Sequence, residues 1–517
     1  MAFSAAWIAP WVAVALPCFA EPPVADPLPK PVSEAIERIS PDSLKGHLSF
    51  LASDLLEGRN TPSRGLDIAA EYIASQFRRA GLTPLEGGSY FQTAKWKYRQ
   101  IPVEKLHVTV KLNGETFQFD DSRITLRSAE AKRIENAPLH KARMDDFSHW
   151  KQMPEGALEG KAVLVKLPSF RDRQSRGAWM RAIQEFNPLF QKLKPAIVLG
   201  VAPSDAGTGV AGQLIDPATE SRPSPSRFPS FSYGLHSRQL AELVDSLPDG
   251  DIPGSLKLEI PEPVERPVAL RNVIGILPGS DPVLKDTYII VTAHYDHLGQ
   301  GAPVDGDAIF NGANDDASGT ASVMELAAAF RSLAQRPKRT LVFMAVFGEE
   351  KGLLGTQYYV RNPVFPLEKT VANLNLEHLG RTDSDDGPQI GRLHVTGFDY
   401  SNLPAILEAA GKNSGVEFAN HPTKSESFFG RSDNLVFAQA GIPAHTICVA
   451  FEFPDYHGVG DHWDKIDYDN LAKINRAIAA GLWTLAGRAE APEWNETNSK
   501  ADRYRNARKG SGNKVAP

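Results

Sequence analysis

Hydrophobic and polar positions along the chain change their period three times. In residues 66–80, Ile68, Ala69, Tyr72, Ile73 and Phe77 recur at helical spacing, and residues 43–57 carry a similar stripe, so two amphipathic helices are predicted there. From about Tyr90 to Glu265 the pattern becomes short strand-like runs ("KLHVTVKLNG", "KAVLVKL", "KPAIVLGVA", "SLKLEI") between Pro, Gly and Ser clusters, which predicts a β-rich inserted domain. After Arg271, apolar strands ("NVIGILPG", "TYIIVTAH", "RTLVFMAVFG", "VANLNLE", "RLHVTGF", "PAHTICVA") alternate with helical segments at 318–335, 402–413 and 470–486. Alternation of that kind implies α/β architecture, a mostly parallel mixed sheet sandwiched by helices. The polar, basic end "ETNSKADRYRNARKGSGNKVAP" predicts a disordered tail over 491–517.

The first twenty residues are mostly apolar and uncharged, and the proline-rich "EPPVADPLPKP" follows them, as in a signal peptide cut after Ala20. Pro10 and Pro17 interrupt a run already short for a bilayer, so no integral span is expected in the mature chain, and a secreted or periplasmic location is. The expected organisation is 1–20 signal peptide, 21–95 N-terminal helical part of the main domain, 96–265 insertion, 266–490 main α/β domain and 491–517 tail. With 517 residues, 42% of them hydrophobic, the core is not limited by size. A net charge of −6 over that length suggests neither nucleic acid nor an anionic membrane as partner. Removal of the first segment leaves Cys448 as the one cysteine, so no intrachain disulfide is expected.

In open α/β sheets ligands sit beyond the carboxyl ends of the strands. The residues there are acidic or histidine: His294 and Asp296 in "TAHYD", Asp315 and Asp316 in "FNGANDDASG", Glu349 and Glu350 in "VFGEEKG", Glu377 and His378 in "NLNLEHLG", and His457 in "FPDYHGVGDHWDK". Any one alone is explained as a cap or a solvated group; Asp316, for instance, stands two residues before Ser318 at an expected helix start. Packed together without cations, the carboxylates would repel and raise one another's pKa values. Histidines with carboxylates and no cysteine suit zinc or a similar divalent ion with an open position for water.

In order, His-x-Asp, Gly-Ala-Asn-Asp-Asp-Ala-Ser-Gly, Gly-Glu-Glu, Asn-Leu-Glu and Tyr-His followed by Asp-Lys-Ile resemble the co-catalytic dizinc aminopeptidases, a family that includes glutamate carboxypeptidase. The resemblance runs from about residue 43 to 487 and takes in "LLEGRNTPSRG"; the insertion resembles a protease-associated domain. It implies two zinc ions per chain and peptide substrates. It further implies that Asp315 bridges the ions, that His294 and Glu377 complete one position and Glu350 and His457 the other, and that Glu349 serves as general base and acid. Asp296 is then the partner that orients His294, and a cis peptide bond is implied between Asp315 and Asp316. The resemblance gives His297, His378 and His462 no metal role, so a structural part is expected of them. His47, His107, His140, His149, His236, His394 and His421 are expected at the surface or in strands and loops, and His445 in the core.

Two departures stand out. Glu377 occupies a position where many relatives have Asp, and Asn434 in "RSDNLVF" replaces the family's histidine. An aminopeptidase is the leading expectation. Alternatives are a carboxypeptidase on the same fold, a glutaminyl-cyclase-like transferase with one zinc, and a non-catalytic protein of transferrin-receptor type. Lys424, Glu426 and Arg431 offer charges for either peptide terminus, and Phe428, Phe429, Phe451 and Phe453 offer an apolar pocket or core. The insertion, which has no His-carboxylate cluster of this kind, is expected to shape access rather than supply catalytic residues.

Overall fold

The computed structural model describes residues 27–126, 130–143, 147–167, 185–186, 188–205, 209–210, 212–218 and 233–510. The expected signal peptide and residues 511–517 lie outside them.

Apolar β-branched runs form the centre of a nine-stranded mixed sheet. Tyr288–His294 is flanked in parallel by Thr340–Val346 and Thr370–Leu376, and the latter is followed in parallel by Ala444–Cys448. Alternate side chains of these strands face opposite layers, as the two-residue period requires. Ile289, Val291, Ala293, Leu341, Phe343 and Ala345 pack with the helices Pro41–Leu51, Arg64–Ala80, Ser318–Arg331 and Tyr468–Gly487. Ile290, Val342, Met344 and Val346 face the other way, onto Tyr359, Phe437 and Trp494. The sheet is thus buried on both sides.

The first predicted helix stops early, at Leu51 rather than 57. Ser53 accepts the Leu55 N–H and starts a tight turn, Asp54–Arg59, in which Glu57, Gly58 and Arg59 take positive φ. That turn ends the helix and sends the Arg59 side chain inward. The helix predicted over 66–80 begins two residues earlier, as Arg64–Ala80, capped by Ser63 and closed by Gly81 at φ 80°.

Strands drawn from 107–260 build a second nine-stranded sheet with its own apolar core. Its middle is parallel, through Lys132–Ala142, Ala162–Lys166, Ile197–Ala202 and Tyr233–His236. The boundaries expected at 95/96 and 265/266 fall inside strands of the first sheet, where Phe91–Gln100 pairs with Val264–Leu277. Gln213–Ile215, from the middle of the expected insertion, joins the edge of that same sheet, and Arg361 bonds Asp216 beside it at 2.7 Å.

The tail is also corrected. Trp494 is buried and donates its indole N–H to Gly441 O at 3.0 Å, and Tyr504, in the helix Asp502–Gly510, stacks on it at 5.4 Å. Two aromatic anchors are enough to dock a segment whose average composition is polar. No described helix is long and apolar enough to cross a membrane.

Candidate metal centre

Each candidate residue lies where a strand gives way to a loop. His294 ends its strand; Glu349 and Glu350 follow Thr340–Val346, Glu377 follows Thr370–Leu376, and His457 lies in the loop after Ala444–Cys448. Asp315 precedes the helix Ser318–Arg331, and its peptide bond to Asp316 is cis, as the resemblance implied. Gly312, at φ 58°, opens this loop; a Cβ there would overlap the Asp315 carbonyl and the His297 ring.

These side chains converge on Asp315. His294 Nε2 is 3.2 Å from its Oδ1 and 3.9 Å from Glu377 Oε1. His457 Nε2 is 3.1 Å from Asp315 Oδ2 and 3.4 Å from Glu350 Oε1. Asp315 therefore faces a histidine and a carboxylate on each side. His297 and His378, of which a structural part is expected, also border the cluster. His297 Nδ1 is 3.0 Å from Glu350 Oε1 and 3.8 Å from Asp315 Oδ2, and His378 Nε2 is 3.5 Å from Asp315 Oδ1. The signal for them was position: His297 is three residues beyond His294 in the same loop, and His378 adjoins Glu377, where its φ of 52° turns the ring inward. Sequence spacing alone could not supply that backbone turn.

A test of fit for a divalent cation comes from the buried atoms. His294 Nε2, both ring nitrogens of His297, His378 Nε2 and Glu350 Oε1 are buried without a hydrogen-bond partner. Polar atoms left without hydrogen bonds in one buried cluster would be costly unless a shared positive charge engages them. The donors are imidazole nitrogens and carboxylate oxygens only, the set that suits zinc and similar ions. Two groups with one atom each within coordination reach are His294, Asp315, Glu377 and His297, Asp315, Glu350.

Asp296 meets His294 chiefly through its main chain. The His294 Nδ1 contact is with the Asp296 main-chain oxygen at 3.1 Å, whereas the carboxylate is 3.6 Å away. A proton on Nδ1 given to that carbonyl leaves the Nε2 lone pair facing Asp315. The carboxylate accepts the Thr61 hydroxyl at 3.0 Å and the Glu349 backbone N–H at 3.1 Å, so it fixes the main chain at Glu349. Burial raises the Glu349 carboxyl well above the usual carboxylate range; His294 opposes this, and Glu350, Glu377 and Asp433 reinforce it. Asp316 is likewise raised by burial, and its Oδ1 accepts the Gly319 N–H at 2.9 Å.

Other candidates separate. Asn434 is buried, accepting the Thr446 hydroxyl and donating to Phe429 O, so it belongs to the polar core under the sheet. Phe429 packs on Tyr400 and Tyr504 as core, while Phe453 meets the His378 ring edge-on at 5.3 Å and Phe428 packs on Phe451. Lys424 pairs with Asp386 and Glu452, Glu426 with Lys500, and Arg431 lies over the Phe428 ring at 4.1 Å. His445 is a hydrogen-bonded core residue between Ser401 and Thr396, and His462 faces Asp307. His47, expected at the surface or in a strand or loop, is buried in the helix Pro41–Leu51 between Tyr72 and Glu325.

Comparison with known proteins places this geometry. The model of peptidase family M28 matches residues 272–482. The chain is 26% identical over 256 residues to leupeptin-inactivating enzyme 1 of Streptomyces exfoliatus, covering 45% of this chain and 52% of that protein. It is 38% identical over 246 residues to a probable zinc metalloprotease of Pyrenophora teres f. teres, covering 44% and 50%. The chain thus spans about half the length of the curated relatives it matches. In fold it resembles an aminopeptidase from Aneurinibacillus sp. strain AM-1, with a TM-score of 0.54 and 20% identity over 90% of this chain and 97% of that one. It also resembles BSAP, a zinc aminopeptidase from Bacillus subtilis, with a TM-score of 0.56 and 19% identity over 86% and 94%. Residues 272–482 are thus similar in sequence to peptidase family M28.

Proposed function

We propose that the chain is a dizinc exopeptidase that removes residues from the amino end of peptides, with Glu349 as general base and acid. The observation that carries this reading is the convergence of His294, Glu377, Glu350 and His457 around Asp315, with the Glu349 carboxyl within electrostatic reach of His294, Glu350 and Glu377. The relative named a probable zinc metalloprotease, and the folds shared with an aminopeptidase and with a zinc aminopeptidase, support it.

Asp315 would hold both ions, His294 and Glu377 one, and Glu350 and His457 the other. Bound there, the ions would lower the pKa of a shared water and polarise the scissile carbonyl. The protein's own part is proton handling and orientation. Glu349, its backbone fixed by Asp296, takes the proton of the attacking water and returns it to the leaving amine. The His294 ring is aligned by its Nδ1 contact with the Asp296 carbonyl. Phe453 and Tyr456 flank His378 and give the crevice an apolar wall. The second sheet is proposed to shape access to the crevice, and export through residues 1–20 is part of the reading, which N-terminal sequencing of the mature protein checks.

The test is metal analysis of purified protein together with digestion of a peptide library. Two equivalents of zinc and loss of N-terminal residues are expected. One equivalent with cyclisation of N-terminal glutamine, or release of C-terminal residues, would overturn the reading.

A further inference from the structure

The loop that delivers Asp315 is held by groups that are not metal ligands. Asp461 lies four residues after His457 and is fully buried. Its carboxylate accepts the backbone N–H of Asn314 at 3.0 Å on both oxygens and that of Asp315 at 3.1 Å, while its own carbonyl accepts the Ala313 N–H at 3.0 Å. Three consecutive amides thus point at one residue. From the opposite side, the Arg59 guanidinium, itself 1% exposed, donates to the carbonyls of Asn311 at 2.8 Å and Gly312 at 2.9 Å, and to Tyr295 O between His294 and Asp296 at 2.8 Å. A further donor bond from Arg59 reaches Leu51 O. Asn314 carries the linkage onward, since its side-chain oxygen accepts the N–H groups of Gly380 at 2.7 Å and Arg381 at 3.0 Å, just past Glu377.

Residues 311–315 are therefore bound to the first histidine's loop, to the Glu377 loop and to the His457 loop. A buried carboxylate without partners would be costly; this one has N–H donors and a buried guanidinium nearby in the same loop system.

We infer that Asp461 is a positioning residue that fixes Asp315 and His457 relative to each other, so that the two metal positions are assembled as one unit before any ion enters. Arg59 is its counterpart on the carbonyl side. This inference rests on the dizinc reading for its consequence, but the frame itself is a property of the chain.

Two measurements on the full-length protein test it. The first needs no variant: hydrogen exchange, read by mass spectrometry with single-residue fragmentation, on protein stripped of metal by chelation. The amides of Asn314 and Asp315 are expected to exchange slowly in that state, because Asp461 and not the metal protects them. Exchange there as fast as in exposed loops overturns the inference. The second compares Asp461→Asn with His457→Ala by stoichiometric zinc titration and by the visible spectrum of the cobalt-loaded protein. An Asn keeps one acceptor but sets an NH2 against the second amide. Asp461→Asn is expected to weaken both equivalents by about 10–100-fold, the range for residues that orient metal ligands, to alter the cobalt bands, and to speed exchange at 313–315. His457→Ala is expected to weaken one equivalent and leave that exchange unchanged. An Asp461→Asn protein that binds both ions within twofold of the parent, with the parent's cobalt spectrum, overturns the inference. If the parent itself binds fewer than two ions, the dizinc reading fails while the exchange result still decides the frame. Should Asp461→Asn not fold, the metal-free parent's exchange decides alone.

Discussion

Replacing Glu349 with glutamine isolates the role proposed for this carboxyl from everything around it. The change is nearly isosteric, and the contact that places this residue, its N–H to Asp296 Oδ1 at 3.1 Å, belongs to the main chain and survives. Two bound zinc ions and an intact fold are therefore expected. A group that performs general acid–base catalysis contributes about 10²–10⁴-fold, which is roughly 3–5.5 kcal/mol of barrier at ~1.4 kcal/mol per decade. A residue serving both proton transfers belongs at the upper end. The assay is kcat/KM on a chromogenic aminoacyl substrate across pH, with metal content measured on the same sample. Glu349 must be deprotonated to accept a proton, so the parent's kcat/KM falls as pH drops through its pKa, and this acid limb should vanish in the Gln variant. Stability runs the other way. Burial raises the Glu349 carboxyl above its unfolded value, so the folded state holds that proton more tightly, and the associated stability is lost as pH rises through the folded pKa. Metal-free Glu349→Gln should thus unfold at the same or a higher temperature than metal-free parent at neutral pH. Activity within about tenfold of the parent, or an unchanged acid limb, would refute the assignment, and a clear fall in the metal-free unfolding temperature would refute the electrostatic account.

Asp315→Ala should lose both zinc equivalents, because each oxygen serves a different side, whereas His457→Ala should keep one; atomic absorption on dialysed protein separates them. His297→Ala should weaken the zinc held beside Glu350 by about 10–100-fold while leaving the first equivalent in place, if its ring supports that carboxylate as the 3.0 Å contact indicates; isothermal titration of metal-free protein resolves the two steps. Trp494→Ala should cost about 3–5 kcal/mol in denaturant unfolding, since it empties a buried aromatic site and strands the Gly441 carbonyl; a loss under 1 kcal/mol would mean that the docked tail carries little of the fold's stability.

Much of the site was readable because the chemistry sits at fixed points of a periodic pattern. An apolar run marks a buried parallel strand, the residue after it stands at the sheet's carboxyl edge, and His294, Asp315, Glu350, Glu377 and His457 each occupy such an edge or the loop leading from it. The strand order is another matter. That Tyr288–His294 lies between Thr340–Val346 and Thr370–Leu376 follows from crossovers that bury both faces, and no local pattern states it. The helix predicted to 57 ends at Leu51 because the turn Asp54–Arg59 lets Arg59 reach four carbonyls, Leu51 at the helix end and Tyr295, Asn311 and Gly312 far away in sequence. His297 and His378 join the cluster through backbone turns, Asp461 through amides nearly 150 residues away, and Trp494 and Tyr504 through a hollow formed by Phe429 and Gly441. Period and punctuation in a sequence record what each segment does with its nearest neighbours and with water. Contacts made across the fold depend on where the backbone brings distant segments together, and those only the tertiary structure decides.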